Sequence, residues 1–278
     1  MGVILKMPGL MNEEHTFLYD YGGAIPQTVT ISSYTTAHEQ LRLSSDNLTK
    51  VMIESILPAC IDPKINIKEL YEPDFWLLLR HLRMITWGPF FTPGHYVCPN
   101  CVNESGIKGN VATWNGMINL ADIAIARPDN PEELITQTKV GHDEFLFLDS
   151  DVTMHINKCK DLLMIETVRV PEERKKLLPI AAAISSVENT EFITIEEVVD
   201  WLCDTVSPVD FDILSNAYSS AFSFGLSNRC DVTCPKCGGA AWCYVPINDN
   251  YFRPTRENLT EWKKLLANSK SKVRSGKQ

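Results

Sequence analysis

The sequence lacks the motifs that identify the common catalytic sites. It contains no Gly-x-Ser-x-Gly turn, no phosphate-binding loop that ends in Lys-Ser or Lys-Thr, and no His-Glu-x-x-His pair. The acidic pairs Glu172-Glu173 and Glu196-Glu197 fall in the first turns of predicted helices, where the helix dipole favours carboxylates without any catalytic role. We therefore expect a protein that is not an enzyme.

The chain also lacks a surplus of positive charge and a long apolar run. Its 26 Lys and Arg residues are outnumbered by 35 Asp and Glu residues, which gives a formal net charge of −9. Because a nucleic-acid interface needs clustered basic residues, we expect no direct contact with nucleic acid. No apolar run approaches the roughly 18 residues of a membrane-spanning helix. Pro8-Gly9 interrupts the apolar start too early for a signal peptide, so a reducing intracellular setting is expected.

Two short cysteine pairs are the most informative feature that is present. Each has the form Cys-Pro-x-Cys, and residues 102–233 lie between them. Together they offer four thiolates, the number that a closed tetrahedral zinc site requires. A zinc ion shared by both pairs would have a structural role and would leave no position open for a reacting water molecule. The predicted ligands are Cys98, Cys101, Cys234 and Cys237.

Several alternatives to this zinc site remain open from the residues alone. His95 or Cys230 could replace one of the four cysteines, each pair could bind separately, or the pairs could hold no metal. A redox role is disfavoured, because turn residues such as Gly238-Gly239 follow each pair instead of an amphipathic helix. Cys60 and Cys203 lie among apolar residues and are predicted to be ordinary buried thiols.

The N-terminal third shows clear strand and helix patterns. Alternation predicts a strand at 28–31, and Thr36 with Glu39 predicts a helix start in which Glu39 folds back on Thr36. A second helix is predicted at about 46–57 and is closed by Pro58 and Pro63. The strongest helix of the chain is predicted over 73–86, and a strand over 96–98 leads from it into the first cysteine pair.

The rest of the chain is expected to be mixed and then largely helical. The segments 144–148 and 152–156 read as a hairpin, and residues 161–227 as mainly helices. One of these helices has Thr194 as its cap, with Glu197 completing a capping box. A return strand at 241–246 follows the second cysteine pair.

These elements predict an α+β fold: a zinc-ribbon-like β base with a mixed strand and helix insert between the two cysteine pairs. The predicted divisions are an N-terminal part, an insert, a second cysteine segment with its return strand, and a basic, mobile tail. Their bounds are 1–104, 105–228, 229–262 and 263–278.

The order of several motifs is familiar. An acidic residue, a run of large apolar residues and an arginine (Asp74 to Arg80) precede the Gly88-Pro89 step and the first Cys-Pro-x-Cys pair, and a second pair lies near the C-terminus. In this the chain resembles the baseplate hub and hub-assembly, chaperone-like proteins of contractile-tailed bacteriophages of the T-even type. The resemblance is best over 28–101 and 205–246.

The resemblance implies a non-enzymatic protein of the virion tail or of its assembly. Its location would be the tail baseplate of the virion, or the host cytoplasm during assembly. Its partners would be other baseplate and tail-hub proteins, and self-association is left open. The four cysteines carry over as metal ligands, and no catalytic residue carries over.

Aromatic residues near the second pair are candidates for contacts with such partners, or else they cover the ribbon's own core. They are Trp242, Tyr244, Tyr251 and Phe252. The alternative function, from another class, is an intracellular zinc-ribbon adaptor or nucleic-acid accessory protein. That function would need clustered basic residues around the cysteine pairs, where only Lys236 and Arg229 are found.

Overall fold

The structure is a computed structural model, and it shows a mixed α+β fold. It describes residues 12–102, 108–127, 137–141, 148, 150–188, 190, 192–222, 224–227, 229–245, 247 and 249–264. The strands are β1 (Asn12–Thr16), β2 (Thr28–Ser32), β3 (Ile61–Asp62), β4 (Phe90–Phe91), β5 (Gly94–Val102), β6 (Lys108–Trp114), β7 (Ile118–Asn119), β8 (Ile125–Ala126), β9 (Gln137–Val140), β10 (Val152–His155), β11 (Ile184–Val187), β12 (Gly225–Leu226), β13 (Arg229–Thr233) and β14 (Ala240–Tyr244). The helices are α1 (Thr36–Leu43), α2 (Leu48–Val51), α3 (Leu57–Cys60), α4 (Glu72–Trp87), α5 (Cys159–Thr167), α6 (Leu178–Ala183), α7 (Ile195–Asp204), α8 (Pro208–Ala221) and α9 (256–264).

The start of α1 differs from the prediction. Thr35 is the N-cap, and its backbone N–H donates to Nδ1 of His38 at 3.3 Å. The expectation that Glu39 folds back on Thr36 is wrong. Glu39 instead accepts two hydrogen bonds from the buried Arg42, from Nε at 2.9 Å and Nη2 at 2.7 Å. A charge-assisted, bidentate pair is stronger than a capping contact, and it takes the carboxylate away from the helix start.

The second helix runs past Pro58, the first of the two prolines predicted to close it, and ends before Pro63. A π-helical turn at Met52–Ile56 joins α2 to α3, and the helix continues to Cys60. The N–H of Leu57 reaches back five residues to the carbonyl of Met52. Because proline lacks an N–H and its ring crowds the preceding turn, this widened turn allows the helix to pass Pro58.

Helix α4 confirms the strongest helix prediction and forms the centre of the main core. It begins at Glu72, with Pro73 in its first turn, and ends at Gly88, whose φ is +86°. Arg83 is fully buried inside this core: its Nε donates to the carbonyl of Tyr251 at 2.7 Å and its Nη2 to that of Phe90 at 3.0 Å. Its Nη1 donates to the carbonyl of Gly88. The guanidinium therefore joins the end of α4 to two later segments.

The buried apolar residues form two main clusters. The larger one joins α4, the N-terminal sheet, the four-stranded sheet with the order β13-β14-β5-β6, and Tyr251-Phe252. The second lies under the three-stranded sheet with the order β11-β10-β9 and under α6, α7 and α8. It draws its residues from between Val140 and Leu214. The predicted divisions of the chain stay a prediction.

Other local predictions have mixed outcomes. The Thr194 and Glu197 capping box is confirmed, with the Glu197 N–H donating to Oγ1 of Thr194 at 3.2 Å. Strand β10 lies within the predicted 152–156 segment, and it pairs with β9 and β11. Most of the proposed partner segment 144–148 lies outside the described residues.

Of the predicted tail, Lys263 and Lys264 belong to α9, and 265–278 lie outside the described residues. No described helix is long and apolar enough to span a membrane.

Candidate metal centre

The first cysteine pair lies where the β5–β6 hairpin loses its regular pairing. The ladder runs regularly up to Cys98, which pairs with Asn110, and it resumes at Val102, which pairs with Lys108. Because the register shifts between these two points, residues 99–101 leave the ladder as a loop. The strand thereby presents the sulfurs of Cys98 and Cys101 at one end of the sheet.

The second pair forms the turn between β13 and β14. The N–H of Cys234 donates to the carbonyl of Gly239 at 2.9 Å, and the N–H of Gly238 donates to the carbonyl of Cys234 at 2.9 Å. Gly238 has φ of +70°, a conformation that residues with a side chain rarely adopt. A Cβ on Gly239 would lie 2.8 Å from Nδ2 of Asn100 in the other loop. The two glycines therefore make a tight turn that the first loop can approach closely.

Sheet pairing brings the two loops together. Strand β14 pairs with β5 through Trp242 and Val97, which gives the strand order β13-β14-β5-β6 and places both hairpin ends side by side. The ligand atoms of the four predicted cysteines all lie within 4.8 Å of one another. The sulfur of Cys98 is 3.6 Å from that of Cys237, and the sulfur of Cys101 is 3.7 Å from that of Cys234. A disulfide would need about 2.05 Å, so these are close but unbonded sulfurs.

The surroundings of Cys234 favour a thiolate. Burial by itself raises the pKa of this thiol, but backbone N–H groups of Cys237 and Lys236 and the Tyr96 hydroxyl stabilise the anion and lower the pKa to about 6. The Tyr96 oxygen lies 3.7 Å from the Cys234 sulfur. The contact with Cys98 raises the pKa of Cys101 to about 12, because neighbouring sulfurs resist sharing negative charge. Four such sulfurs therefore suit a cation that neutralises them.

The alternatives for the ligand set can now be compared with the geometry. In the part of the chain that the structure describes, the four cysteines are the one group of three or more His, Cys, Asp or Glu residues with converging ligand atoms. His95 and Cys230 are not members of it. Cys230 instead pairs across the sheet with Cys243, whose sulfur contacts the Cys230 carbonyl at 3.6 Å. The site thus brings together the residues that the sequence predicted, and it could hold a metal ion.

Sequence reasoning missed two residues of this site. The Tyr96 hydroxyl contacts Cys234, and Asn100 lies against Gly239. Tyr96 could have been found from strand periodicity, since residues two apart on a strand face the same side and Tyr96 therefore shares the side of Cys98. No comparable signal pointed to Asn100, because its contact comes from the other end of the chain.

The remaining predicted residues are distributed differently from the expectation. Tyr251 and Phe252 are buried in the main core, which excludes exposed contacts for these two residues and favours the alternative of a core role. Tyr244 is 52% exposed. Trp242 is half-buried beneath the guanidinium of Arg229, which lies 4.4 Å from the centre of an indole ring. Cys60 is buried as predicted.

Cys203 is exposed, and the prediction that it is buried is wrong. It lies near the end of α7, a helix whose buried side is formed by Val198, Val199 and Leu202. Apolar neighbours in the sequence do not bury a residue that faces the other side of an amphipathic helix.

Comparison of the chain with protein-family models, with curated proteins and with solved structures gave no match.

Proposed function

We propose that the four cysteines hold one structural zinc ion. The observation that carries this proposal is the spacing of the sulfurs. Four sulfurs at about 2.3 Å from a zinc ion at the centre of a tetrahedron lie about 3.8 Å from one another. The distances of 3.6 and 3.7 Å between sulfurs of opposite loops are close to this value. Soft thiolate ligands also favour zinc over hard cations such as magnesium or calcium.

For the protein as a whole we propose a non-enzymatic role as a baseplate hub or hub-assembly protein of a contractile phage tail. The resemblance of residues 28–101 and 205–246 to that family supports the proposal. A closed four-cysteine site adds support of a general kind, since it stabilises a fold without offering zinc an open position for chemistry. The protein would act in the virion baseplate, or in the host cytoplasm during assembly, through surfaces that contact other tail-hub proteins.

The zinc-ribbon adaptor or nucleic-acid accessory function has less support. Arg229 and Lys236 are exposed, but Arg229 is engaged by Asp231, at 3.2 Å, and by the ring of Trp242. The other basic residues beside the cysteine pairs are Lys236 and Lys108, which pairs with Val102. Two such residues do not form the basic patch that binding to phosphates requires.

Three measurements test the proposal. Elemental analysis of the purified protein should give one zinc per chain, and the absence of bound metal would contradict the structural site. Mass spectrometry of intact virions separates a resident baseplate component from a transient assembly factor. A pull-down with the tagged protein should recover tail-hub proteins from phage-infected cells. Absence from virions together with no hub protein in the pull-down would contradict the phage function while leaving the zinc site intact.

A further inference from the structure

The four-stranded ribbon sheet has two edges, β13 and β6, and their outward backbone groups can be assigned. The N–H of Cys234 bonds to Gly239 across the hairpin, so Val232 and Cys230 also direct their backbone groups toward β14. The backbone groups of Trp242 therefore point the opposite way, toward β5, where Trp242 pairs with Val97. By the same alternation, the N–H and C=O of Val111 on β6 point away from β5, toward the outside of the sheet.

The β13 edge is protected in ways that natural sheets commonly use. Ser227 Oγ accepts from the N–H of Arg229 at 3.1 Å and donates to its carbonyl at 3.1 Å, which occupies the first outward groups. Asp231 adds a charge next to them. The segment from Met117 to Ala124 forms the opposite wall of a cleft of about 510 Å³ along this strand. Charged side chains and a neighbouring segment that limits access both make an edge strand less available for pairing.

The β6 edge is less protected, because its one charged residue is Lys108, at the very start of the strand. No charged residue and no proline occurs between Gly109 and Trp114, a segment that reads Gly-Asn-Val-Ala-Thr-Trp. Val111 is 64% exposed. Among the described residues, no strand pairs with β6 on the side away from β5. A seven-residue strand that has no described partner strand on its outer side and an exposed valine at its middle is a template for pairing with another strand.

We propose that β6 pairs in antiparallel fashion with β6 of a second copy of this chain, with a two-fold axis at Val111. Val111 is the central residue of Lys108–Trp114, so this register pairs all seven residues of each strand. The outward N–H and C=O of Val111 would then bond with those of its symmetry mate. Because this register is symmetric about Val111, two identical strands satisfy it with the same contacts on both sides.

The side chains of the sheet's outer face support the same arrangement. Trp242 pairs with Val97, and Val97 with Val111, so the three form one row that runs across the sheet to its β6 edge. In the dimer, the row would continue into the Val111, Val97 and Trp242 of the second copy and give one apolar row over six of the eight strands. Cross-strand apolar pairs of this kind stabilise antiparallel sheets. The dimer does not depend on the proposed baseplate role, and either could be wrong without the other.

Sedimentation velocity of the full-length protein tests the proposal. The chain should sediment as a dimer rather than as a 31.3 kDa monomer, with a dissociation constant below about 10 µM. Val111→Pro removes the outward N–H without removing a hydrogen bond to β5, and Val111→Lys places a charge on the edge while keeping the backbone donor. Each should weaken the dimer at least about tenfold. Val111→Thr keeps both the donor and the branched shape, and it should still dimerise.

Zinc content and thermal melting serve as folding controls for all three variants. If Val111→Pro fails to fold, Val111→Lys decides the question. In the wild-type dimer the backbone N–H groups of Val111 and Thr113 should exchange slowly with deuterium, and in Val111→Lys the Thr113 group should exchange fast. A wild-type protein that stays monomeric at about 100 µM overturns the proposal. A folded Val111→Lys or Val111→Pro variant that dimerises as tightly as wild type also overturns it.

Discussion

The sulfur of Cys98 lies 3.6 Å from that of Cys237, although 139 positions separate the two residues in the chain. The closeness arises because β5 and β14 are neighbours in one sheet and both cysteine loops lie at the same end of it. A metal ion bound there would connect two hairpins that otherwise meet through a single strand pair. A metal ion at the four cysteines is therefore expected to stabilise the whole four-stranded sheet and the core beneath it.

Loss of one cysteine should remove the metal and destabilise the fold together. We expect Cys98→Ser and Cys234→Ser to lose most of the bound zinc and to lower the melting temperature by roughly 10 °C or more, because metal-binding energy contributes directly to folding. Cys203→Ser is the matched control, since Cys203 is exposed and lies outside the site. Elemental analysis and thermal melting measure both effects. Unchanged zinc content and melting in both ligand variants would rule out a shared site.

The contact between Gly239 and Asn100 can be tested by a double substitution. Gly239→Ala would place a Cβ 2.8 Å from Nδ2 of Asn100 and should separate the two loops slightly. We expect zinc affinity, measured by competition with a chelator, to fall about tenfold. Asn100→Gly removes the obstructing amide, so the double variant should recover most of the affinity. A double variant as weak as Gly239→Ala alone would contradict this explanation.

The buried Arg83 should be among the most sensitive positions of the main core. Arg83→Lys leaves a single ammonium where a planar guanidinium donates to the carbonyls of Tyr251, Gly88 and Phe90. We expect the free energy of unfolding to fall by about 2–4 kcal/mol, because buried carbonyls lose their donors. Urea denaturation measures this loss. In contrast Arg174→Lys, which affects an exposed pair with Asp200, should cost less than about 1 kcal/mol. Equal effects at the two positions would contradict the argument.

His15 should make the folded protein sensitive to acid. Burial, with the nearby His81 and Arg80, lowers the pKa of His15 from 6.5 to about 3. The unfolded chain therefore takes up a proton below pH 6.5 that the folded chain refuses, so stability falls as the pH drops from about 6.5 toward 3. Between pH 7.5 and pH 5 this residue should account for about 2 kcal/mol of lost stability.

Unfolding free energies of wild type and His15→Gln at pH 7.5 and pH 5 test the acid sensitivity. The difference between the two pH values should be smaller in the variant. His95→Gln is the control, since His95 is exposed and lies outside the His15 contact. Acid effects on the cysteine site are common to all three proteins and cancel in the comparison. An equal loss of stability in His15→Gln and wild type would contradict the prediction.

Helix α4 illustrates what sequence patterns can predict. Its apolar periodicity, Pro73 at the start and Gly88 at the end all act within a few residues, and the helix has nearly the predicted bounds. The capping box of Thr194 and Glu197 was predictable for the same reason. Glu39 was not, because its carboxylate had a stronger partner in Arg42, and nothing in the local pattern ranks the two contacts.

The cysteine pairs show the same division at the level of the site. The sequence by itself determined the four candidate ligand residues and their thiol chemistry, because residue type and the spacing within each pair are local properties. Only the tertiary structure decided that the pairs meet, that Tyr96 contacts Cys234 and that Arg83 ties α4 to Tyr251. Among the described residues, it also left the outer side of β6 without a partner strand, whereas the segment from Met117 to Ala124 faces β13 across a cleft. Each of these depends on which strands and segments become neighbours, which follows from packing over the whole chain.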